Sequence, residues 1–338
     1  MATYTFPTQA ELQLIAQDKT PRLTADRLGF QIMPPRETRS SLIRWTQKDN
    51  FTGLQSARGL NGDPTRVKRL GAKTYQMEPG VYGEFELVDE LEMTTRAAYG
   101  TWATPISVDD LVMECQDHLL GRRLDRIEYI IWTLLVTGTF SVATPYGPVV
   151  HTDSYTTQTY TAGVTWATSA TATPLANFRA VQLLGRGRSA NFGGQAMAIM
   201  NRTTYNSILA NTNANDLAGR RTAGLTTPLT PGDLNTVLAG EDLPKIVIYD
   251  EGYIDESNTF QLFVPNNKVV VIGKRPAGQV IGEYIFTFNA NNPGGGPGPY
   301  MKVIDRGDET VPRKIEVHDG HNGGPALYFP GSIVVMTV

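Results

Sequence analysis

The chain has 338 residues, 41% of them apolar, and a formal net charge of -3 at neutral pH. That length suits one large domain or two modest ones, and the near-neutral balance excludes a general polyanion binder. A single cysteine, Cys115, excludes an internal disulfide framework and fits a reducing compartment.

The first residues, MATYTFPTQAELQ, show no basic and apolar leader pattern. The longest apolar run, Ile130 to Val136, is far short of the ~20 residues that span a bilayer. A soluble intracellular protein with no membrane partner is expected. The 33 glycines and 21 prolines imply many turns. Charge is uneven: residues 1–75 carry 12 Lys/Arg and 6 Asp/Glu, whereas residues 76–110 carry 1 and 8. A basic segment followed directly by an acidic one is self-complementary, so identical copies can pair one region with the other. An acidic block beside a basic strip also repels phosphate, which argues against a DNA grip.

Residues 1–50 hold one amphipathic turn, AELQLIAQ, and then charged sequence marked by Pro21, Pro34 and Pro35. Such a stretch cannot offset ~1–2 kcal/mol of backbone entropy per ordered residue. It is expected to be disordered or laid across something else. Residues 51–95 read as a long hairpin without a core. The outgoing half is NGDPTRVKRLGAKTY, with Arg66, Lys68, Arg69 and Lys73 following Arg58; the return is GVYGEFELVDELEM, with acids facing outward.

A long helix follows. Ser107 is its expected N-cap and Asp110 the capping-box partner; Asp109 and Asp110 suit the helix dipole, and Gly138 is a C-terminal stop. Thirty residues over 108–137 give about 45 Å. Leu111, Cys115 and Leu119 share one face. Leu120, Leu124, Ile127, Ile131 and Leu134 form another stripe, with Arg122, Arg123 and Arg126 between. Residues 139–167 alternate as two or three strands. Helices are expected over PLANFRAVQLLGRG, TTYNSILANT and TPGDLNTVLAG, and strands over AMAIMN, KIVIYDEGYI, TFQLFVPNN, KVVVIG and the C-terminal LYFPGSIVVMTV. That order is mixed α+β rather than an alternating βαβ array.

The chemical motifs are weak. GRGRSA at 185–190 fits a dinucleotide pattern but follows a helix, so it reads as a helix-ending turn. NNPGGGPGPY lacks the G-K-[ST] of a phosphate loop and reads as a surface loop. His318 and His321 sit in a glycine-rich stretch, expected to be a loop, without a matching ligand cluster. Asp250-Glu251 and Asp255-Glu256 read as solvated hairpin acids. Cys115 reads as a small core residue. No catalytic, cofactor-binding or metal-ligating residue is assigned. What remains is an arm and a hairpin without cores, complementary charge, one very long helix and a compact body. Burial for the arm and hairpin is expected from other subunits, which points to an assembly protein.

At this point the chain resembles the tailed-phage major capsid proteins of the lambda-like capsid E family, with the HK97-type fold. The resemblance rests on WTLLVTGTFSV (132–142), AMAIMNRTTYNSIL, Gly219-Arg220-Arg221, KIVIYDEGYIDE through FVPNNKVVVIG (245–273) and GPALYFPGSIVVMTV. Each is weak alone; their order and spacing from about residue 50 to 338 carry the likeness. The Gly/Pro loop at 291–299 is shorter and less basic than the family pattern.

The resemblance implies an N-arm at 1–48 and an extended E-loop at 49–95. It implies a P-domain from 96–167 and 313–338, with a spine helix at 108–137, and an A-domain at 168–312 whose tip meets its copies around five- and six-fold axes. It implies an icosahedral virion shell assembled in the bacterial host cytoplasm. Implied partners are further copies of the chain, a separate scaffolding protein, a portal, a decoration protein, and packaged double-stranded DNA bound non-specifically. Some relatives cross-link a lysine to an asparagine between subunits; Lys68 and Lys73 lie in that region, but lambda-like members generally lack the link. The expected inter-subunit contacts pair Arg58, Arg66, Lys68, Arg69 and Lys73 with Glu84, Glu86, Asp89, Glu90 and Glu92 of a neighbour. The alternatives are a nucleic-acid-binding protein using 58–73, an enzyme using the 250–256 carboxylates, and an encapsulin-like compartment or tail structural protein.

Overall fold

A computed structural model describes residues 9–48, 54–67, 72–97, 106–143, 149–154, 157–187, 190–217, 221–222, 225–226, 229–255, 257–275, 279–292, 296–306 and 311–338. Lys68, Arg69, Arg188, Ser189, Gly219, Arg220, Glu256 and residues 293–295, all singled out above, lie outside the described residues.

The described chain opens with α1 (Gln9–Thr24) and α2 (Leu28–Ile32). Leu12 and Ala16, one turn apart, are buried, as are Phe30, Ile32 and Met33. Their partner is the long helix α4 (Val108–Thr137). Gln116 Nε2 donates to the Leu12 carbonyl at 3.0 Å, Lys19 meets Asp117 at 2.5 Å, and Arg27 meets Asp125 at 2.6 Å. The arm expected to lack a core therefore finds one in its own chain. Its partner residues lie about a hundred positions away, where local periodicity carries no information.

Next come β1 (Pro35–Glu37), β2 (Ile43–Lys48), β3 (Ala72–Met77), β4 (Gly80–Asp89) and α3 (Glu90–Thr95). β2 and β3 pair antiparallel, from Ile43 opposite Met77 to Lys48 opposite Ala72. Buried Trp45 stacks on Tyr75 at 5.5 Å. The basic segment is the loop between these strands. The acidic return strand does not pair with it, contrary to the expected hairpin. Instead, β4 leaves after Pro79 and joins a separate sheet.

α4 has the expected ends. Ser107 Oγ accepts the Asp110 N–H at 3.1 Å, and Gly138 takes φ 71°, which glycine adopts without a Cβ penalty. After it come β5 (Thr139–Ala143), β6 (Val149–Ser154) and β7 (Gln158–Thr161), then α5 (Pro174–Leu184), β8 (Met197–Met200), α6 (Arg202–Leu209), α7 (Thr212–Leu217), β9 (Arg221–Thr222), β10 (Leu225–Thr226) and α8 (Pro231–Gly240). The remaining strands are β11 (Lys245–Ile248), β12 (Gly252–Ile254), β13 (Phe260–Leu262), β14 (Lys268–Ile272), β15 (Gly282–Phe286), β16 (Tyr300–Asp305), β17 (Lys314–Leu327) and β18 (Ile333–Thr337).

Two five-stranded sheets lie along the long helix. The first runs β11-β8-β14-β18-β7. Its central strands are apolar throughout because both faces are covered. Val270, Ile272, Ile333 and Val335 face the cluster that holds Ile131, Trp132, Leu134 and Leu135 of α4. Val269, Val271, Val334 and Met336 face Phe178, Val181, Tyr205, Ile208, Leu234 and Leu238 of α5, α6 and α8. The second sheet centres on β17, with β4 along one edge and β16 then β15 along the other; β1 extends β15. Here Ile315 and Val317 pack with Val88 and with Leu111, Val112 and Leu119 of α4.

The sheets cut across the expected domain boundaries. β7 and the C-terminal strand lie in the first sheet with β8, β11 and β14, while β15 and β16, from within 168–312, lie in the second with β4. The His318–His321 stretch, expected to be a loop, is the middle of β17. No helix among the described residues is long and apolar enough to cross a membrane.

Candidate assembly interface

Residues 54–67 leave the β2–β3 pair as an extended segment. A turn closes at its tip, where the Gly62 N–H donates to the Gly59 carbonyl at 3.0 Å and Asn61 takes φ 66°, a conformation asparagine tolerates better than most residues. Arg58 Nη1 donates to the Gly62 carbonyl at 3.1 Å. Leu54 and Leu60 are fully exposed, and Val67 is 71% exposed. Arg58, Arg66 and Lys73 are exposed, and none of the three joins an ion pair with another described residue.

The expected acidic partners sit elsewhere. On β4, Glu84 and Glu86 turn toward α4. Arg122 holds Glu84 through two bonds, Nε to Oε2 at 2.6 Å and Nη2 to Oε1 at 2.9 Å. This bidentate contact lowers the Glu84 carboxyl below its ordinary range and outweighs the opposing effect of burial. His118 Nδ1 meets Glu86. Asp89 is the N-cap of α3, accepting the Glu92 N–H at 2.8 Å. Glu90 is exposed, while Glu92 lines a groove of about 270 Å³ together with Glu86, Arg96, Glu114, Cys115 and His118. Cys115 is half-buried there, and burial, then Glu86, pushes its thiol up to about 12. The structure therefore brings two of the five acids to the chain's own helix and, among the described residues, pairs none with the basic segment.

On the opposite face of β4, Val81, Phe85 and Leu87 are exposed, and Leu91 of α3 continues the strip. Phe85 stacks on His318, its cross-strand partner, with ring centroids 5.2 Å apart. Strand alternation places these apolar side chains outward once Glu84 and Glu86 face the helix. The amino-acid pattern alone reads the other way, with acids outward.

Beneath the helix lies a polar cluster that the sequence did not reveal. Arg123 Nη1 donates to Asp319 Oδ1 at 2.6 Å, with both side chains almost fully buried. Burial raises the Asp319 carboxyl to about 6 despite the arginine. His321 is enclosed by Tyr82, Tyr284 and Phe286. The Tyr284 hydroxyl lies 3.0 Å from its Nε2, and burial lowers the imidazole to about 3. The only sequence signal was three arginines set between the apolar stripes of α4.

The weaker motifs resolve as structural. Gly185 and Gly187 (φ 75°) form the turn that ends α5. Asp250 accepts the Arg202 N–H at 2.7 Å and its Nε at 3.1 Å. Asp255 accepts the Ser257 and Thr259 N–H groups, closing the β12–β13 turn. Among the described residues no group of three or more His, Cys, Asp or Glu side chains is placed to hold a metal.

A family model described as phage major capsid protein E matches residues 15–297. No curated protein sequence matches the chain. Solved structures do. A phage-related protein from Bordetella bronchiseptica RB50 shares 9% identity with a TM-score of 0.57, covering 96% of each chain. A putative prophage capsid protein from E. coli CFT073 shares 12% identity with a TM-score of 0.51 over 79% of each chain. The capsid of cyanophage P-SCSP1u shares 8% identity with a TM-score of 0.50, covering 90% of this chain and 86% of that one. These likenesses show the fold, and the family match spans most of the sequence. The chain belongs to the phage major capsid protein E family, structural proteins whose many copies form the virion shell, and it has the HK97-type fold.

Proposed function

We propose that residues 54–67, raised on the β2–β3 pair, are the E-loop with which each subunit grips its neighbour in the shell. The observation that carries this is burial. The segment exposes Leu54, Leu60 and Val67 and leaves Arg58, Arg66 and Lys73 outside any ion pair among the described residues. Apolar groups of that size are each worth about 1.5–3 kcal/mol when removed from water, and their own subunit does not remove them.

The receiving surface in this reading is the outer face of β4 and α3, where Val81, Phe85, Leu87 and Leu91 lie exposed near Glu90. Glu84 and Glu86 already serve Arg122 and His118, and Asp89 serves as a cap. Glu90, with Glu92 at the groove, is therefore the better acidic partner for a neighbour's arginines. Steering by such complementary charge sets register and rate more than final affinity. A nucleic-acid grip by 58–73 fits less well, because the segment intersperses aliphatic side chains and offers no aromatic platform for bases.

The remaining roles follow from the family resemblance. The A-domain tips meet around the five- and six-fold axes. A separate scaffolding protein and a portal guide assembly in the host cytoplasm. A decoration protein binds at three-fold positions, and packaged double-stranded DNA meets the inner surface without sequence preference.

The test is Arg58→Glu combined with Arg66→Glu. The variant subunit should keep its circular dichroism and unfolding midpoint, since neither side chain is packed, while shell yield by sedimentation falls at least tenfold. Undiminished assembly of the double variant would remove the segment from the interface.

A further inference from the structure

Glu128 lies in the middle of α4 with no exposed surface. Its Oε1 accepts three donors from three parts of the chain. They are the Gly29 N–H at 2.7 Å, the Trp132 indole N–H at 2.7 Å and the Tyr249 hydroxyl at 2.6 Å. Its Oε2 is buried without a hydrogen-bond partner. A carboxylate placed there is costly unless its bonds are made, so the three donors are what make the position tenable.

Gly29 is the element that moves if the bonds fail. Trp132 belongs to the same helix, and Tyr249 follows β11, whose parallel partner β8 anchors it in the first sheet. Gly29 belongs to the N-terminal stretch 9–33, which forms no strand pairing. The other polar attachments of that stretch are the Gln116 Nε2 bond to the Leu12 carbonyl, a bond from Gln13 Nε2 to Asn292 Oδ1 at 2.6 Å, and two ion pairs; the first two join neutral groups. The Lys19–Asp117 and Arg27–Asp125 pairs are both partly solvent-exposed, and exposed pairs contribute little. The fit at Gly29 is also exclusive. A Cβ there would lie 2.4 Å from Glu128 Oε2 and 2.7 Å from its Cδ.

We infer that Glu128 is a latch: by gripping the Gly29 N–H it holds residues 9–33 on the spine helix, and losing that grip frees the stretch as a unit while the body stays folded. The arm is then a docked segment whose buried charged anchor is Glu128, although its apolar side chains share the main core cluster. Its apolar anchors, Leu12, Ala16 and Phe30, sit on two helices that pack against α4 and the second sheet without being hydrogen-bonded into a strand ladder, so they come away together. Release also uncovers Trp132, which stacks on Tyr249 at 5.1 Å.

Hydrogen exchange read by mass spectrometry on the purified full chain tests this. Glu128→Gln keeps the shape but loses the charge-assisted bonds, and Gly29→Ala keeps the charge but forces the backbone away. Each should speed exchange of peptides within 9–33 by about tenfold or more, as expected for losing hydrogen bonds to a charged group, and leave peptides from β14 and β18 at the wild-type rate. Tyr249→Phe, which removes one donor and keeps the packing, should give a smaller increase confined to the same peptides and serves if the first two variants fail to fold. Wild-type exchange in 9–33 for the folded variants would overturn the latch. Equal acceleration of 9–33 and of β14 and β18 would overturn it too, by making Glu128 an ordinary part of one cooperative core.

Discussion

At the scale of single residues, buried charge separates side chains that look alike in the sequence. Arg122 and Arg123 are neighbours on α4. Arg122 holds Glu84 at the surface, with both side chains about half exposed, whereas Arg123 holds Asp319 with side-chain exposures of 7% and 3%. Removing one partner of a buried pair leaves an uncompensated charge. Arg123→Ala should therefore cost about 3–5 kcal/mol in urea unfolding, and Arg122→Ala less than about 1 kcal/mol. Equal costs would show that Asp319 is solvated.

The same cluster sets an acid response in which two groups oppose each other. Arg123 and Arg126 on α4, Glu84 and Tyr82 on β4, Tyr284 on β15 and Tyr300 on β16 surround Asp319 and His321. His321 has a folded value of about 3 against an ordinary 6.5. The folded state binds fewer protons in that interval, so the contribution of His321 is present above pH 6.5 and is lost as pH falls toward 3. Asp319 runs the other way, with about 6 folded against 3.8. Its contribution is full below pH 3.8 and is lost as pH rises through 6. His321→Phe should thus flatten the fall in stability between pH 6.5 and 4. The deficit of Asp319→Asn relative to wild type should be larger at pH 4 than at pH 7. Denaturant midpoints measured across that range check both, and parallel curves for variants and wild type would contradict the assignment.

At the scale of elements, legibility followed how local the cause was. The bounds and apolar stripes of α4 were legible, because its N-cap, C-terminal glycine and periodicity all lie within the element, whereas its buried Gln116, Arg123 and Glu128 and the half-buried Cys115, expected in the core, were not. Those ends carry measurable weight. Ser107→Ala and Gly138→Ala should each destabilise by about 1 kcal/mol, the first through a lost cap bond and the second through a left-handed backbone at φ 71°. Urea unfolding reads both, and a neutral Gly138→Ala would mean that the turn relaxes.

β14 and β18 were legible as apolar runs, and Pro174 marked α5. β17 was not legible. Its buried positions include Asp319, Gly320, His321, Gly323 and Gly324, so apolar alternation stops halfway along the strand. The glycines are there for close approach: a Cβ on Gly320 would lie 2.5 Å from the Tyr82 carbonyl oxygen and 2.8 Å from the Tyr300 ring. β4 was legible as a strand but its facing was not. Its acids point inward because α4 offers Arg122 and His118, and only the tertiary pairing reveals that. Of the proposed interface, the exposed cations were legible from composition, whereas the apolar strip opposite Glu84 and Glu86 was not.

At the scale of the whole molecule, one helix of about 45 Å joins two sheets. Its first half packs on β4 and β17 and its second half on β14 and β18. The family match and the shared fold place the protein in the virion capsid as one of many copies. This chain builds a closed shell by self-association. Negative-stain imaging with sedimentation of the purified chain, alone and co-expressed with the proposed scaffolding protein, tests this. Shells, or five- and six-membered rings, of a single subunit type are expected. A monodisperse monomer under both conditions, shifting DNA with a steep salt dependence, would contradict it.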